Sequence, residues 1–417
     1  MKLFKKLSLL MLAMVLVIGL AACGGKEEGK ESKEEGKESA ETSQVESTET
    51  SEAEESTASG ESSQEEASQS EAESIVYGPD SFYLITDLGT IDDKSFNQGS
   101  FEGLKKFADT LGLEAKYLRP AGEGDQNYVQ AIEQAIDAGA KIIVTPGFLF
   151  ETAIGQVQEQ HPDVKFIAVD FVPSKDGQPF VADNTVSILY HEEQSGFLAG
   201  YAAVKDGYTK LGFMGGIAVP AVVRYGFGFI AGANYAAEEM GIEIDLKYNY
   251  TGSFVENPDI QTMASSWYQS GTEVIFSCGG GIAASVLKAA QDNKGQMIGV
   301  DVDQKEMGEQ VITSAMKNLE NSVYEAVKSA VTGEFRGGEI LVLGAKDNGV
   351  QISTDFSRFK AFTEEDYKSI FQKIVDNVDG LTDAMPQIDE NLDEVERTNP
   401  ETLMEKYPKV KLEYIVQ

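Results

Sequence analysis

The chain has 417 residues, with 34 Lys plus Arg against 69 Asp plus Glu and a formal net charge of −35. That charge repels phosphate backbones and excludes nucleic acid as a partner. Two cysteines cannot build a disulfide framework, and His161 and His191 leave little for a His/Cys zinc site.

The first residues read MKLFKKLSLLMLAMVLVIGLAAC. Lys2, Lys5 and Lys6 form a basic start, and the run from Leu9 to Leu20 holds no polar side chain. It is too short for a membrane span and right for a signal peptide over residues 1–22. The sequence Leu20-Ala21-Ala22-Cys23-Gly24 resembles a bacterial lipobox. The resemblance implies cleavage before Cys23 and lipid on its thiol; an ordinary secretory signal with a chance Cys is the alternative.

Residues 24–74 contain 17 Glu and 4 Lys, a net charge of −13, and Val45 as their one large aliphatic residue. Such a stretch cannot bury enough apolar surface to offset the entropy of ordering. With Cys23 it reads as a disordered tether over 23–76, of about 40 Å r.m.s. span. An acidic partner-binding tail is the rival reading.

From residue 77 onward apolar runs alternate with helical patterns. Strands are expected at 81–88, 114–119, 141–146, 165–170, 185–190, 210–215, 243–249, 273–278 and 297–302, with helix-periodic segments between them, several ending at Gly. A repeated β-α order predicts parallel sheets with helices on both faces. Nine such strands are many for one sheet, so the expected fold is α/β with two doubly wound parallel-sheet lobes. At about 150 residues per domain the length agrees. The later chain adds strands at 311–317, 338–344 and 349–353 and an edge strand near the end. The first lobe is expected over 77–186 plus 318–350 and the second over 187–317 plus 351–417, linked near 183–193, 316–320 and 345–355.

Ligands of open α/β sheets bind beyond the carboxyl ends of strands. The first strand is followed by Asp87, Gly89 and Ser95-Phe96-Asn97. Phe96 there is either a hydrophobic staple at a helix start or a platform for a ligand ring. Phe148 and Phe150 follow the third strand, and Tyr225, Phe227 and Phe229 follow KLGFMG. Gly279-Gly280-Gly281 follow EVIFSC, and Asp301-Val302-Asp303-Gln304 follow MIGV. Aromatic faces stack flat rings, at about 1–3 kcal/mol per nucleobase, and a carboxylate accepts hydrogen bonds from vicinal hydroxyls. The combination suits a nucleoside or a sugar on a flat ring, with Phe229 assigned to the core.

Enzyme signatures are missing: there is no GxxxxGK[ST], GxSxG or HExxH. Gly226, Gly228 and Gly232 miss the dinucleotide fingerprint and read as helix packing. Ser285 and Lys288 match SxxK inside an ordinary amphipathic helix. Asp301 and Asp303 begin like a calcium loop, but Glu306 and Ile312 stand where Gly and Glu are needed. No cofactor, metal or catalytic residue is expected, and Cys278 reads as a small buried residue.

The ordered motifs DLGTIDDKSFNQGSFEGL, FIAVDF (166–171), GFLAGYAA (196–203), VPAVVRYGFGFIAGA, FSCGGG, IGVDVDQ and TSAMK resemble the basic membrane protein family, lipid-anchored substrate-binding components of ABC importers. The resemblance implies a type I periplasmic-binding-protein fold, a purine nucleoside held between two lobes, an ABC permease as partner and a membrane anchor through Cys23. It also implies roles for residues. Phe96 and a second-lobe aromatic, Tyr225 or else Phe227, sandwich the base. Asp87 and Asn97 bond base or ribose edges, and Asp301 takes ribose hydroxyls. Gly281 offers a backbone amide. Lys317 contacts ribose oxygens or keeps Asp301 ionised, and Asp170 serves the base or caps a neighbour. A sugar ligand, or presentation of the ligand to a membrane sensor kinase, remains the alternative.

Overall fold

The computed structural model describes residues 76–389 and 391–416; the expected signal peptide, the lipid site at Cys23 and the tether up to residue 75 lie outside the described residues. The chain begins with β1 (Phe82–Ile85), α1 (Phe96–Thr110), β2 (Ala115–Leu118), α2 (Asp125–Asp137), β3 (Ile142–Pro146), α3 (Glu151–Val157) and β4 (Lys165–Val169). A small hairpin, β5 (Ser174–Lys175) and β6 (Gln178–Pro179), precedes β7 (Thr185–Tyr190). A second series follows: α4 (Glu192–Lys205), β8 (Lys210–Gly215), α5 (Pro220–Met240), β9 (Ile244–Tyr250), α6 (Pro258–Gln269), β10 (Val274–Cys278), α7 (Ile282–Asn293), β11 (Gln296–Asp301) and β12 (Val311–Lys317). The closing elements are α8 (Leu319–Thr332), β13 (Ile340–Leu343), β14 (Val350–Ile352), α9 (Glu364–Val375), α10 (Glu394–Thr398) and β15 (Val410–Tyr414).

These strands form two main sheets, ordered β13-β7-β4-β3-β1-β2 and β14-β12-β11-β10-β8-β9-β15. Within them every pairing is parallel except β12 with β14. The predicted two doubly wound lobes are therefore present. Each sheet repeats one plan: the second strand of the series lies outside the first, and the third, fourth and fifth continue on the other side. Strands covered on both faces read as unbroken apolar runs, which is why FYLI in β1 and VIFSC in β10 are buried at every position. The hairpin β5–β6 carries no such run and was not legible. β15 lies parallel beside β9 at the sheet edge.

The chain passes between the sheets at His191, at Asn318 and between Leu343 and Val350. β7 pairs with β4 and β13 as far as Tyr190, so the first passage falls later than the expected boundary after residue 186. Helix α8 returns to pack on α1.

Helices α4 and α5 are buried almost throughout and meet backbone to backbone. A Cβ added at Gly228 would lie 2.1 Å from the Glu193 carbonyl oxygen, one at Gly232 1.9 Å from that of Phe197, and one at Gly196 2.1 Å from that of Tyr225. Only hydrogen fits at these points, so Gly228 and Gly232 serve helix packing. The contact fixes the starts of both helices, which carry Glu192, Arg224 and Tyr225 to one end of the second sheet.

Candidate functional site

In both sheets the strand order reverses beside the first strand of the series, between β1 and β3 and between β8 and β10. Crevices at such reversals, beyond the carboxyl ends of strands, are where α/β folds hold ligands. Here the two crevices face each other across a cleft enclosing about 670 Å³ of empty space, including the part open to solvent. Asp87, Phe96, Asn97, Phe148 and Asp170 line it from the first lobe, and Val222, Tyr225, Phe254, Asp301 and Lys317 from the second.

The loop after β1 is a carboxylate cradle built by α1. The Asp93 carboxylate accepts backbone N–H bonds from Ser95 at 2.8 Å, Asn97 at 3.0 Å and Gln98 at 3.1 Å, satisfying amides that begin the helix. The Asn97 amide nitrogen donates to Asp87 at 2.8 Å and to Asp93 at 2.9 Å, while its oxygen accepts from the Asp87 backbone at 3.2 Å. Asn97 thus spends its donors on holding two acids. Asp87 Oδ1 also accepts from the Gly89 amide at 2.7 Å, and burial pushes its carboxyl up to about 6.

Asp170 and Asp301 occupy equivalent places at the ends of the fourth strand of each series, β4 and β11, and both have φ of 68°. A left-handed backbone is uncommon outside Gly, and Asp is among the few residues that tolerate it. The turn swings each carboxylate toward Lys317, at the end of β12. The Lys317 ammonium bonds Asp170 and lies 3.4 Å from Glu192 and 3.8 Å from Asp301. It also lies 4.8 Å from the Phe96 ring centroid, 5.3 Å from that of Tyr225 and 5.5 Å from that of Tyr190. The Ser95 hydroxyl reaches across to donate to Asp301 at 2.6 Å.

The charges here are buried and unequal. Burial pushes Asp170 up to about 7 against the pull of the Lys317 ammonium, with Glu192 and Asp301 adding to the rise. Asp301 is raised for the same first reason, burial. Burial also works against the charge of Glu192, yet the Arg224 guanidinium, 2.5 Å away, and then Lys317 hold that carboxyl below its usual range. Lys317 itself is held well above the ordinary lysine value: burial opposes its charge, but Asp170, Glu192 and Asp301 outweigh it. Of the residues that line the cleft, two carry a buried side-chain oxygen without a hydrogen-bond partner among the described residues, Asp170 Oδ1 and the Tyr225 hydroxyl. The arrangement can accept hydrogen bonds from hydroxyls and amines beside apolar faces, and its surplus of carboxylates opposes anionic guests.

Seven of the nine residues singled out in the sequence meet in this cleft: Asp87, Phe96, Asn97, Asp170, Tyr225, Asp301 and Lys317. Two do not. Phe227 is buried in α5 away from the cleft lining, because two residues along a helix turn the side chain by about 200° from Tyr225. The Gly281 amide donates to the Phe254 carbonyl at 2.9 Å, so it is taken; Gly279 and Gly280 line the cleft instead. Asp93, Glu192, Arg224 and Phe254 were not foreseen. The signal for Arg224 was a lone charge in the apolar first half of α5, which is rarely buried without a partner; Glu192 opens α4 beside Glu193 and Gln194 and carries no such signal.

The family model for PnrA-like ABC transporter substrate-binding proteins (Bmp) matches residues 83–378. An ABC transporter nucleoside-binding protein, BmpA, of Lactococcus lactis is 29% identical over 65% of this chain and 81% of its own length. Basic membrane protein A2 of Borrelia garinii is 30% identical over 69% of this chain and 84% of its own. A crystal structure of a solute-binding protein of an ABC transporter system from Aeropyrum pernix, 25% identical, superposes with a TM-score of 0.59 over 78% of this chain and 86% of that one. With two wound sheets facing across a lined cleft, the chain has the periplasmic-binding-protein fold and belongs to the family of PnrA-like ABC transporter substrate-binding proteins.

Proposed function

We propose that the protein captures a nucleoside, with a purine as the base, and delivers it unchanged to an ABC permease. It does so from the outer face of the membrane, held by lipid on Cys23. The observation that carries the reading is the pairing of aromatic and apolar walls with buried carboxylates at the facing ends of the two sheets. In this reading the base lies between Phe96 and the second-lobe wall of Tyr225, Val222 and Phe254. Asp301 receives pentose hydroxyls, Lys317 keeps Asp170 and Asp301 oriented, and the Asp87 carboxylate, aligned by Asn97, meets the base edge. Lobe closure desolvates both sets of contacts at once, so affinity depends on both halves. The carboxylates around Lys317 and Arg224 disfavour a phosphate, so a nucleoside is bound in preference to its nucleotide.

Calorimetry with adenosine, guanosine, inosine, uridine, ribose and adenosine monophosphate tests the ligand. Binding of nucleosides with little or none of ribose or the monophosphate is expected, and the ligand is recovered intact. No binding by any nucleoside would remove the ligand reading while leaving the importer role in place. Mass spectrometry of protein extracted from membranes tests the anchor: the chain should begin at a lipidated Cys23, and Cys23→Ser should release it.

A further inference from the structure

Resting on the reading of the cleft as a nucleoside site, we propose that Gln304 is a positioning residue, which ties the cleft-facing ends of the two lobes together before a ligand arrives. Gln304 is 1% exposed and lies outside the cleft lining. Its side-chain oxygen accepts from the Val300 amide at 3.1 Å, and its side-chain nitrogen donates to the Lys94 carbonyl at 2.9 Å. Its backbone amide is fixed in turn by the Ser314 hydroxyl at 3.0 Å. Val300 precedes Asp301 in the second lobe. Lys94 belongs to the first lobe, two residues before Phe96, and its φ of 55° places it in the left-handed region.

One buried amide therefore grips the strand end that aims Asp301 and the loop that aims Phe96. Packing at the same place agrees: a Cβ at Gly99 in α1 would lie 2.9 Å from Val302 Cγ1, so the first lobe's helix start rests directly on the second lobe's β11–β12 loop. The Gln304 bonds run to Val300, Ser314 and Lys94, and its side chain does not line the cleft. The tie thus acts on the lobe-to-lobe equilibrium and scales the affinity of every ligand by the same factor, the fraction of protein already in the competent arrangement. A hydrogen bond in a buried amide network supports a change of about tenfold.

The test uses the full chain and Gln304→Glu, which keeps an acceptor for the Val300 amide and replaces the donor facing the Lys94 carbonyl with an acceptor. Gln304→Leu, which removes both bonds, is the second variant. Calorimetry and stopped-flow dissociation are measured with adenosine, guanosine and uridine. Hydrogen exchange is measured on the ligand-free protein over segments 88–98 and 300–307. The expected result is about tenfold weaker binding of each nucleoside through faster release, unchanged preference among them, and faster exchange in both segments without ligand. Unchanged exchange, or a loss confined to one nucleoside, overturns the proposal. Faster exchange in the variants of a protein that binds no nucleoside overturns the ligand reading and supports the tie.

Discussion

Replacing Lys317 by Met removes the ammonium shared by Asp170, Glu192 and Asp301 at nearly constant side-chain length. Lys317 is 3% exposed, and removing one partner of a buried ion pair costs about 3–5 kcal/mol. The loss depends on pH in a direction the structure fixes. Asp170 and Asp301 have folded-state values raised above their unfolded ones, chiefly by burial. Such a carboxyl binds its proton more tightly in the folded state, so its contribution is fully present below the unfolded value and is lost as pH rises through the folded one. In the parent that loss is complete for Asp170 a little above its value of about 7; without the cation it continues to higher pH. The variant should therefore be less stable by about 3–5 kcal/mol near pH 8.5, and the deficit should shrink by at least about 1.4 kcal/mol near pH 5.5, equivalent to one carboxyl moved by one unit. Urea unfolding of the ligand-free protein, followed through the chain's single tryptophan, Trp267, buried in the second lobe, measures both. A deficit below about 1 kcal/mol, or one equal at the two pH values, would mean that the three carboxylates do not depend on Lys317.

Phe96→Ala should weaken nucleoside binding roughly tenfold if its face carries a base, which calorimetry reads directly. Asp87, pushed up to about 6 by burial, accepts hydrogen bonds with both oxygens, and more strongly, once it is a carboxylate, so affinity should climb as pH rises through that value; in Asp87→Asn the profile should flatten. Gly228→Ala puts a methyl 2.1 Å from the Glu193 carbonyl oxygen and should cost about 1–3 kcal/mol by overpacking, seen as a lowered melting temperature.

The sheets were legible because parallel strands buried on both faces leave uninterrupted apolar runs such as IIVTP and VIFSC, and because β-α alternation admits few topologies. The cleft was legible for a related reason: strand ends are fixed by the same runs, so Asp87, Asp170 and Asp301 could be placed without side-chain detail. What failed depended on helix phase or on distant chain. Phe227 needed the rotation of α5 relative to Tyr225. The fate of the Gly281 amide was decided by the Phe254 carbonyl on the loop after β9, which no local pattern encodes. The partnership of Glu192 with Arg224 likewise depends on how α4 and α5, separated by β8, pack side by side.

The glycine seam between α4 and α5 leaves no slack for one helix to slide or tilt against the other. Glu192, which follows the first passage between the sheets, and Tyr225, which faces the cleft, therefore move as parts of one body. Opening the cleft must proceed by swinging that whole body on the three short passages rather than by flexing within it. Ligand choice in this scaffold can then drift through side chains on the cleft walls while the swing, and any surface a permease reads from it, stays the same.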